Sequence, residues 1–196
     1  MYVSEGNRKL EGGLFLIWNL PSEVTCPGST PLCRRRCYAK KAERLHRGVL
    51  QCRYRNLEES RRKDFAERLV REIRKKLEKR PRRLFRIHEA GDFYSQGYLN
   101  SWFEVAACFP DVRFLAYTTS FHLDFSRKPP NMQIIWSVWS DTDVGKIPPG
   151  PRSFVGNSRH LDPDRFDRAF LCTGKCADCQ FCWYADELGD VRFRIH

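Results

Sequence analysis

Nine of the 196 residues are cysteine, and seven of these fall into two groups whose spacing suits metal ligation. The denser group is Cys172-Thr-Gly-Lys-Cys176-Ala-Asp-Cys179-Gln-Phe-Cys182, a C-x3-C-x2-C-x2-C run. A single zinc ion usually draws on two well-separated C-x2-C pairs, because tetrahedral ligands must arrive from different directions. Cysteines spaced every three or four residues suit the larger iron–sulfur core, whose irons can be met by successive turns of one segment. The expectation is therefore an iron–sulfur cluster, of the 4Fe-4S type, with zinc as the alternative. Disulfides are disfavoured because the chain reads as intracellular. The second group is Cys26-Pro-Gly-Ser-Thr-Pro-Leu-Cys33-Arg-Arg-Arg-Cys37. Three cysteines leave a four-ligand site one short, so an exogenous ligand or Cys52 completes it, and one or two clusters are expected. Cys108, beside Ala106 and Ala107 on an apolar stretch, reads as core.

The charge is as unevenly placed as the cysteines. The formal net charge is +11, from 35 Lys and Arg against 24 Asp and Glu. Between Arg34 and Arg86 lie 22 basic and seven acidic residues, so this block is strongly basic and the rest is mildly acidic. Arginine predominates, and its planar fork matches phosphate. The block predicts a nucleic acid or other polyanion as partner, with Arg34, Arg35, Arg36, Lys40, Lys41 and Arg44 as the contact candidates. The competing explanation is a solvated helix surface in a heat-adapted, thermophile protein. The longest apolar stretch, Leu14 to Leu20, is too short to span a bilayer, and no signal-peptide layout is present. A soluble cytoplasmic protein, with no membrane association, is the expectation.

The elements that must position these residues follow from periodicity. Leu14 to Leu20, after Gly12-Gly13, reads as a buried strand ended by Pro21. Tyr38 to Arg47 predicts a short basic helix with Gly48 at its end. Asn56 to Arg80 predicts one long helix, with Asn56 and Glu59 as a capping box and Pro81 as its stop. Leu84 to His88 is a strand, Ser95 to Phe109 a helix and Arg113 to Thr118 a strand, which together predict a right-handed βαβ unit. Gln133 to Trp139 and Ser153 to Gly156 predict two further strands. The whole chain, 1–196, is expected to be one α/β domain. Its sheet should be mostly parallel, partial TIM-barrel-like with about four to six strands, and followed by a cysteine-rich C-terminal region (172–182).

Chemistry in parallel sheets sits beyond the carboxyl ends of the strands. There the strands deliver the 26–37 loop, then His88, Glu89 and Asp92 as candidate catalytic residues. Thr118 and Ser120 follow the third strand, and Asn157 the fifth; these three are candidate cofactor-binding residues. Thr119, His122, Ser140, Asp141 and Asp143 share the same rim.

Thr25-Cys-Pro-Gly-Ser-Thr-Pro-Leu-Cys33, Cys37-Tyr-Ala, Arg86-Ile-His-Glu-Ala-Gly-Asp-Phe-Tyr-Ser95, Ala116-Tyr-Thr118 and the ending from Cys172 to His196 together resemble the phage gene-product-88-like family. The resemblance runs from about residue 15 to the last residue. It implies an iron–sulfur protein of phage or prokaryotic origin and leaves the reaction open. The C-terminal run also resembles a bacterial ferredoxin's cysteine motif in mirrored spacing. A more distant likeness is to radical S-adenosylmethionine enzymes, which carry three cysteines on the loop after the first barrel strand and a Gly-rich acidic motif after the second. That likeness implies a reactive cluster on Cys26, Cys33 and Cys37, an auxiliary one on the C-terminal four, and S-adenosylmethionine as cofactor. The spacing here is C-x6-C-x3-C where those enzymes have C-x3-C-x2-C, and Gly91-Asp92 stands in place of Gly-Gly-Glu. Three functions therefore compete: a minimal cluster enzyme acting on nucleic acid or a nucleotide, a nucleic-acid-binding module stapled by metal, and a cluster-stabilised nuclease or glycosylase.

Overall fold

The computed structural model describes residues 1–5 and 15–194. Seven parallel strands form one sheet in the order β1-β2-β3-β4-β5-β7-β6: β1 (Phe15–Trp18), β2 (Leu84–Ile87), β3 (Arg113–Thr118), β4 (Met132–Val138), β5 (Arg152–Val155), β6 (Phe170–Leu171) and β7 (Val191–Phe193). The sheet is open, with β1 and β6 at its edges. Seven strands replace the four to six expected. β6 and β7 have two and three residues, too short to leave a periodic signal. Leu14, Gly12-Gly13 and the last two residues of the C-terminal motif lie outside the described residues.

The pleat sorts the strand residues between two faces. On one, Leu16, Trp18, Phe85, Ile87, Phe114, Ala116, Ile134 and Trp136 pack against helices. These are α3 (Arg47–Ser60), α4 (Phe65–Lys79) and α5 (Gln96–Ala107), which bring Leu57, Phe65, Leu69, Ile73, Leu99 and Trp102. The other face carries Phe15, Ile17, Leu84, Leu115 and Ile135, and it is covered by Trp183 and Ala185 of the C-terminal segment. β2, α5 and β3 form the expected βαβ unit, and Ser95 caps α5 by accepting from the Tyr98 amide at 3.3 Å. No helix among the described residues is long and apolar enough to cross a membrane.

The long helix expected over 56–80 is two helices. α3 starts at Arg47, placing Gly48 in its first turn, and stops at Ser60, whose hydroxyl turns back to the Leu57 carbonyl at 2.8 Å. Arg61, Arg62 and Lys63 sit at the negative end of α3, and Asp64 sits at the positive end of α4, so both dipoles favour the break. Asn56 is therefore not a cap. Its buried amide accepts from the Tyr2 amide at 2.7 Å and donates to the Tyr2 and Asn19 carbonyls at 2.9 and 3.0 Å. The two preceding helices are α1 (Pro31–Arg35) and α2 (Tyr38–Leu45), and three short helices close the chain: α6 (Pro163–Arg168), α7 (Cys176–Cys179) and α8 (Ala185–Leu188).

Candidate metal centres and the strand-end rim

Directly after the first strand comes Asn19, whose side chain accepts from the Glu89 and Ala90 amides at 2.8 and 2.9 Å. The two strands thus stay laced together beyond their ladder, and the 21–37 loop leaves from a fixed point. Two glycines let this loop press on the rim. Gly91 has φ +86, and a Cβ there would stand 2.6 Å from the Leu20 Cβ and 2.7 Å from the Thr25 hydroxyl. A Cβ on Gly28 would stand 2.0 Å from the Thr119 carbonyl oxygen. Thr30 caps α1 through the Cys33 amide at 3.1 Å, and Asp141, after β4, accepts from the Leu32 amide at 2.8 Å. The loop consequently lies across the ends of β2, β3 and β4.

Cys26, Cys33 and Cys37 are all half-buried on this loop. Burial pushes the Cys26 thiol up to about 12, with the Asp92 charge adding to it. Cys33 is also pushed up to about 12, by burial and then by Cys37, Asp92 and Asp141. Cys26 and Cys33 therefore share one electrostatic neighbourhood with Cys37 beside them, and without a cation Cys26 and Cys33 hold their protons. Cys52 is half-buried on α3. Cys108 is exposed just past α5, which corrects its assignment to the core: its place after the last helical turn carries it off the apolar stripe.

The rim residues read as catalytic take up structural contacts. Asp92 is buried and accepts four hydrogen bonds: Thr118 hydroxyl at 2.6 Å, Phe93 amide at 2.7 Å, Thr119 amide at 2.9 Å and Thr119 hydroxyl at 3.0 Å. Burial raises its pKa against those bonds. His88 has φ +60, which turns its ring to the helix side, among Phe93, Tyr98 and Trp102. Its Nε2 lies 2.8 Å from the Tyr98 hydroxyl, itself an acceptor from the Trp18 indole at 2.9 Å, and its buried Nδ1 has no partner. Burial, then the Arg86 charge, pushes His88 down to about 3, so it is neutral. Glu89 is half-buried, and its carbonyl accepts from the Tyr38 hydroxyl.

Of the cofactor-binding candidates, Thr118 and Ser120 are buried within this same network. The Thr118 hydroxyl also accepts from the Ser120 amide at 2.9 Å, and the Ser120 hydroxyl donates to the Phe93 carbonyl at 2.8 Å. Asn157 is exposed beyond β5, where its carbonyl faces His160. The structure joins Asp92, Thr118 and Ser120 in one hydrogen-bond network, turns His88 to the helix side and leaves Asn157 apart.

Cys172 follows β6, and Cys176, Cys179 and Cys182 follow on α7 and the turn after it. All four line one small cavity of about 20 Å³, together with Phe170, Gly174 and Trp183. Gly174 at φ +76 lets its amide turn back onto the Cys172 sulfur at 3.4 Å, and Gln180 in the left-handed region reverses the chain before Cys182. Burial pushes Cys182 up to about 12, while the Tyr117 hydroxyl and the Arg86 guanidinium act the other way. Arg86 lies over the Tyr117 ring at 4.0 Å. Among the described residues no three His, Cys, Asp or Glu side chains are gathered closely enough to hold a metal ion as they stand.

Of the cationic candidates, Arg35, Arg36, Lys41 and Arg44 are exposed and make no ion pair among the described residues, while Lys40 pairs with Glu23. Arg34 donates to the Ser29 hydroxyl and carbonyl at 2.9 and 3.1 Å. Sequence reasoning passed over Asn19, Arg86, Tyr117 and Glu43. An Asn directly after a buried apolar run, and an Arg inside one, are the signals that mark the first two.

Fold and site define an α/β protein with one open parallel sheet, a three-cysteine loop on its carboxyl rim and a four-cysteine segment folded over one face. The chain belongs to the Gene product 88 family, whose profile matches residues 1–185. It is similar to the Gene 88 protein of Mycobacterium phage D29, 31% identical over 134 residues, which are 63% of this chain and 56% of that protein. It is also similar to the Gene 88 protein of Mycobacterium phage L5, 37% identical over 101 residues, 48% of this chain and 42% of the relative. The aligned stretches thus span about half the length of these curated relatives. No solved structure matches.

Proposed function

We propose that the protein is an iron–sulfur protein acting on nucleic acid. On this reading Cys26, Cys33 and Cys37 hold an open cluster on the rim, and Cys172, Cys176, Cys179 and Cys182 hold a second, closed one. The observation that carries it is the three-cysteine loop fixed across the ends of β2, β3 and β4 by Gly28, Asp141 and Asn19. Held by these three thiolates, such a cluster would keep one iron free for S-adenosylmethionine or substrate and would pass on an electron taken from an external reductant. The chain's own part is positional. Asp92 ties the β2 and β3 exits beneath the loop, and Arg35, Arg36, Lys41 and Arg44 draw phosphate toward it. At the C-terminal group the donor set fits a thiolate-ligated core: four cysteines around one cavity, an amide aimed at sulfur and a buried Trp183 indole nitrogen without a partner. As it stands, the cavity holds about one water.

Anaerobic purification followed by iron, sulfide and zinc analysis tests the reading. A brown protein is expected, with one cluster signal that changes on adding S-adenosylmethionine and disappears in Cys33→Ala. A colourless, zinc-loaded protein would overturn it.

A second reading is favoured by the spent hydrogen-bonding capacity of Asp92, Thr118 and Ser120. In it the metal only staples the fold, by iron–sulfur or zinc, and the protein is a nucleic-acid-binding module. Nucleic-acid affinity that is unchanged in Cys33→Ala, with no response to S-adenosylmethionine, selects this second reading. A divalent-metal nuclease or a glycosylase draws less support, because Asp92 already accepts four hydrogen bonds.

A further inference from the structure

The exposed surface of α2 and α3 is unusual in mixing unpaired cations with uncovered rings. α3 buries Arg53, Asn56, Leu57 and Ser60. The opposite side, at helical spacing, carries Arg47, Gln51, Tyr54 and Arg55, all exposed. On α2 the exposed residues are Tyr38, Lys41, Arg44 and Leu45. Tyr38 is 58% exposed although its hydroxyl is held by the Glu89 carbonyl, Tyr54 is 43% exposed and Leu45 66%. Among the described residues Lys41, Arg44, Arg47 and Arg55 make no ion pair, whereas Arg53 pairs with Glu43 beneath them. Cys37 directly precedes α2, so this surface adjoins the three-cysteine loop.

We propose that α2 and α3 bind single-stranded nucleic acid, with Tyr54 and Tyr38 as stacking platforms and Lys41, Arg44, Arg47 and Arg55 as the phosphate contacts. The inference rests on the reading that the partner is nucleic acid and is independent of the cluster. Cations alone serve a duplex or a single strand equally, because both present phosphates. Exposed rings do not: the bases of a duplex are already stacked on each other, and only an unpaired strand offers free base faces. The pairing of Tyr54 with Arg47 and Arg55 on one helix side therefore selects the single strand. Single-stranded DNA and RNA share this chemistry, and the test separates them.

Fluorescence anisotropy with labelled 20-mers of oligo(dT) and oligo(U), and with a 20-bp duplex, provides the measurement. Either single strand should bind more tightly than the duplex, and the tighter of the two names the source. Tyr54→Ala should weaken single-strand binding between about five- and a hundredfold, and Tyr54→Phe should restore it. Arg47→Gln with Arg55→Gln should flatten the log-affinity against log-salt slope by about 0.7 for each cation removed. Equal binding of duplex and single strand, or equal losses in Tyr54→Ala and Tyr54→Phe, would overturn the inference. Iron content measured on the same samples keeps the two readings apart. Metal-free protein that binds single strands retains this inference and removes the cluster, and iron-loaded protein that binds no strand does the reverse.

Discussion

Asp92 joins two chain segments through one buried carboxylate. Each oxygen accepts two hydrogen bonds, one from the β2–α5 turn and three from the end of β3 in all. Asparagine at this position keeps one acceptor and turns an amide donor toward groups that are themselves donors. Asp92→Asn is expected to destabilise the fold by about 2–3 kcal/mol, read as a lower urea midpoint with an unchanged slope. His88 makes a different prediction. It is held neutral near Tyr98 and Arg86, with a folded pKa of about 3 against an unfolded value of about 6.5. Between those values the unfolded chain binds a proton that the folded chain does not, so stability rises with pH through this window and is lost as pH falls. At pH 5 this costs about 2 kcal/mol. His88→Asn, which suits the left-handed backbone, should flatten the urea-midpoint profile between pH 7 and 4; Asp92 titrates alike in both proteins, so the difference reports His88. Parallel slopes would refute the assignment. Residue type and strand-end position picked out both residues from the sequence. Their roles were not legible, because the φ of +60 that swings His88 to the helix side, and the donors that meet around Asp92, arise only when separate segments come together.

The three-cysteine loop is held from below by the two helices that follow it in the chain. Glu43 of α2 accepts from the Ser22 amide at 2.9 Å, the Ser22 hydroxyl at 2.6 Å and Arg53 of α3 at 2.7 Å. The Arg53 and Glu43 side chains are only 8% and 11% exposed, so water screens the pair poorly. Glu43→Ala leaves a buried guanidinium and two loop donors unpaired, and it is expected to cost about 3–5 kcal/mol in chemical denaturation. Arg53→Met with Glu43→Leu should recover a large part of that loss, because it removes both charges; a double variant no more stable than Glu43→Ala would argue against this account. At this scale the sequence was most informative where burial is periodic. β1 to β5 and α5 were all legible from apolar runs and their Pro, Gly and Ser boundaries. The helix break at 61–64 was hidden because no Gly or Pro marks it. Only opposed dipole preferences and the turned-back Ser60 hydroxyl do so. The loop's cysteines were legible as a group, but its placement over β3 depends on Gly28 meeting the Thr119 carbonyl, a contact between residues 91 positions apart.

The whole molecule is asymmetric about its sheet. One face is closed by three helices of 12 to 15 residues, which form most of their own hydrogen bonds. The other is closed by a segment from Cys172 to Leu188 whose helices have only four residues each, far below the length at which helix formation sustains itself. Its inner end is well tied. Trp183 is buried against Phe15 at 5.0 Å, the Trp183 carbonyl accepts from Arg113 at 3.2 Å, and Asp186 exchanges hydrogen bonds with Gln133 at 3.0 Å each way. At the outer end, from Cys172 to Gln180, the Cys172 amide donates to the Arg192 carbonyl, and Cys172, Cys176 and Ala177 rest half-buried on the same cluster. On the proposed reading a metal centre shared by the four thiols pins this end, and the cover of the second face should then depend on metal. Lys175, exposed between Cys172 and Cys176, supplies a reporter. Trypsin should cut after Lys175 early in protein stripped of metal by chelator, or in a Cys176→Ser, Cys179→Ser variant, with the fragments identified by mass spectrometry. In loaded protein the same bond should be cut late, after the exposed bonds of α2 and α3. Cleavage at Lys175 that is equally fast with and without metal would mean that the segment holds itself by Trp183 and Asp186 alone, and the four cysteines would lose their structural role.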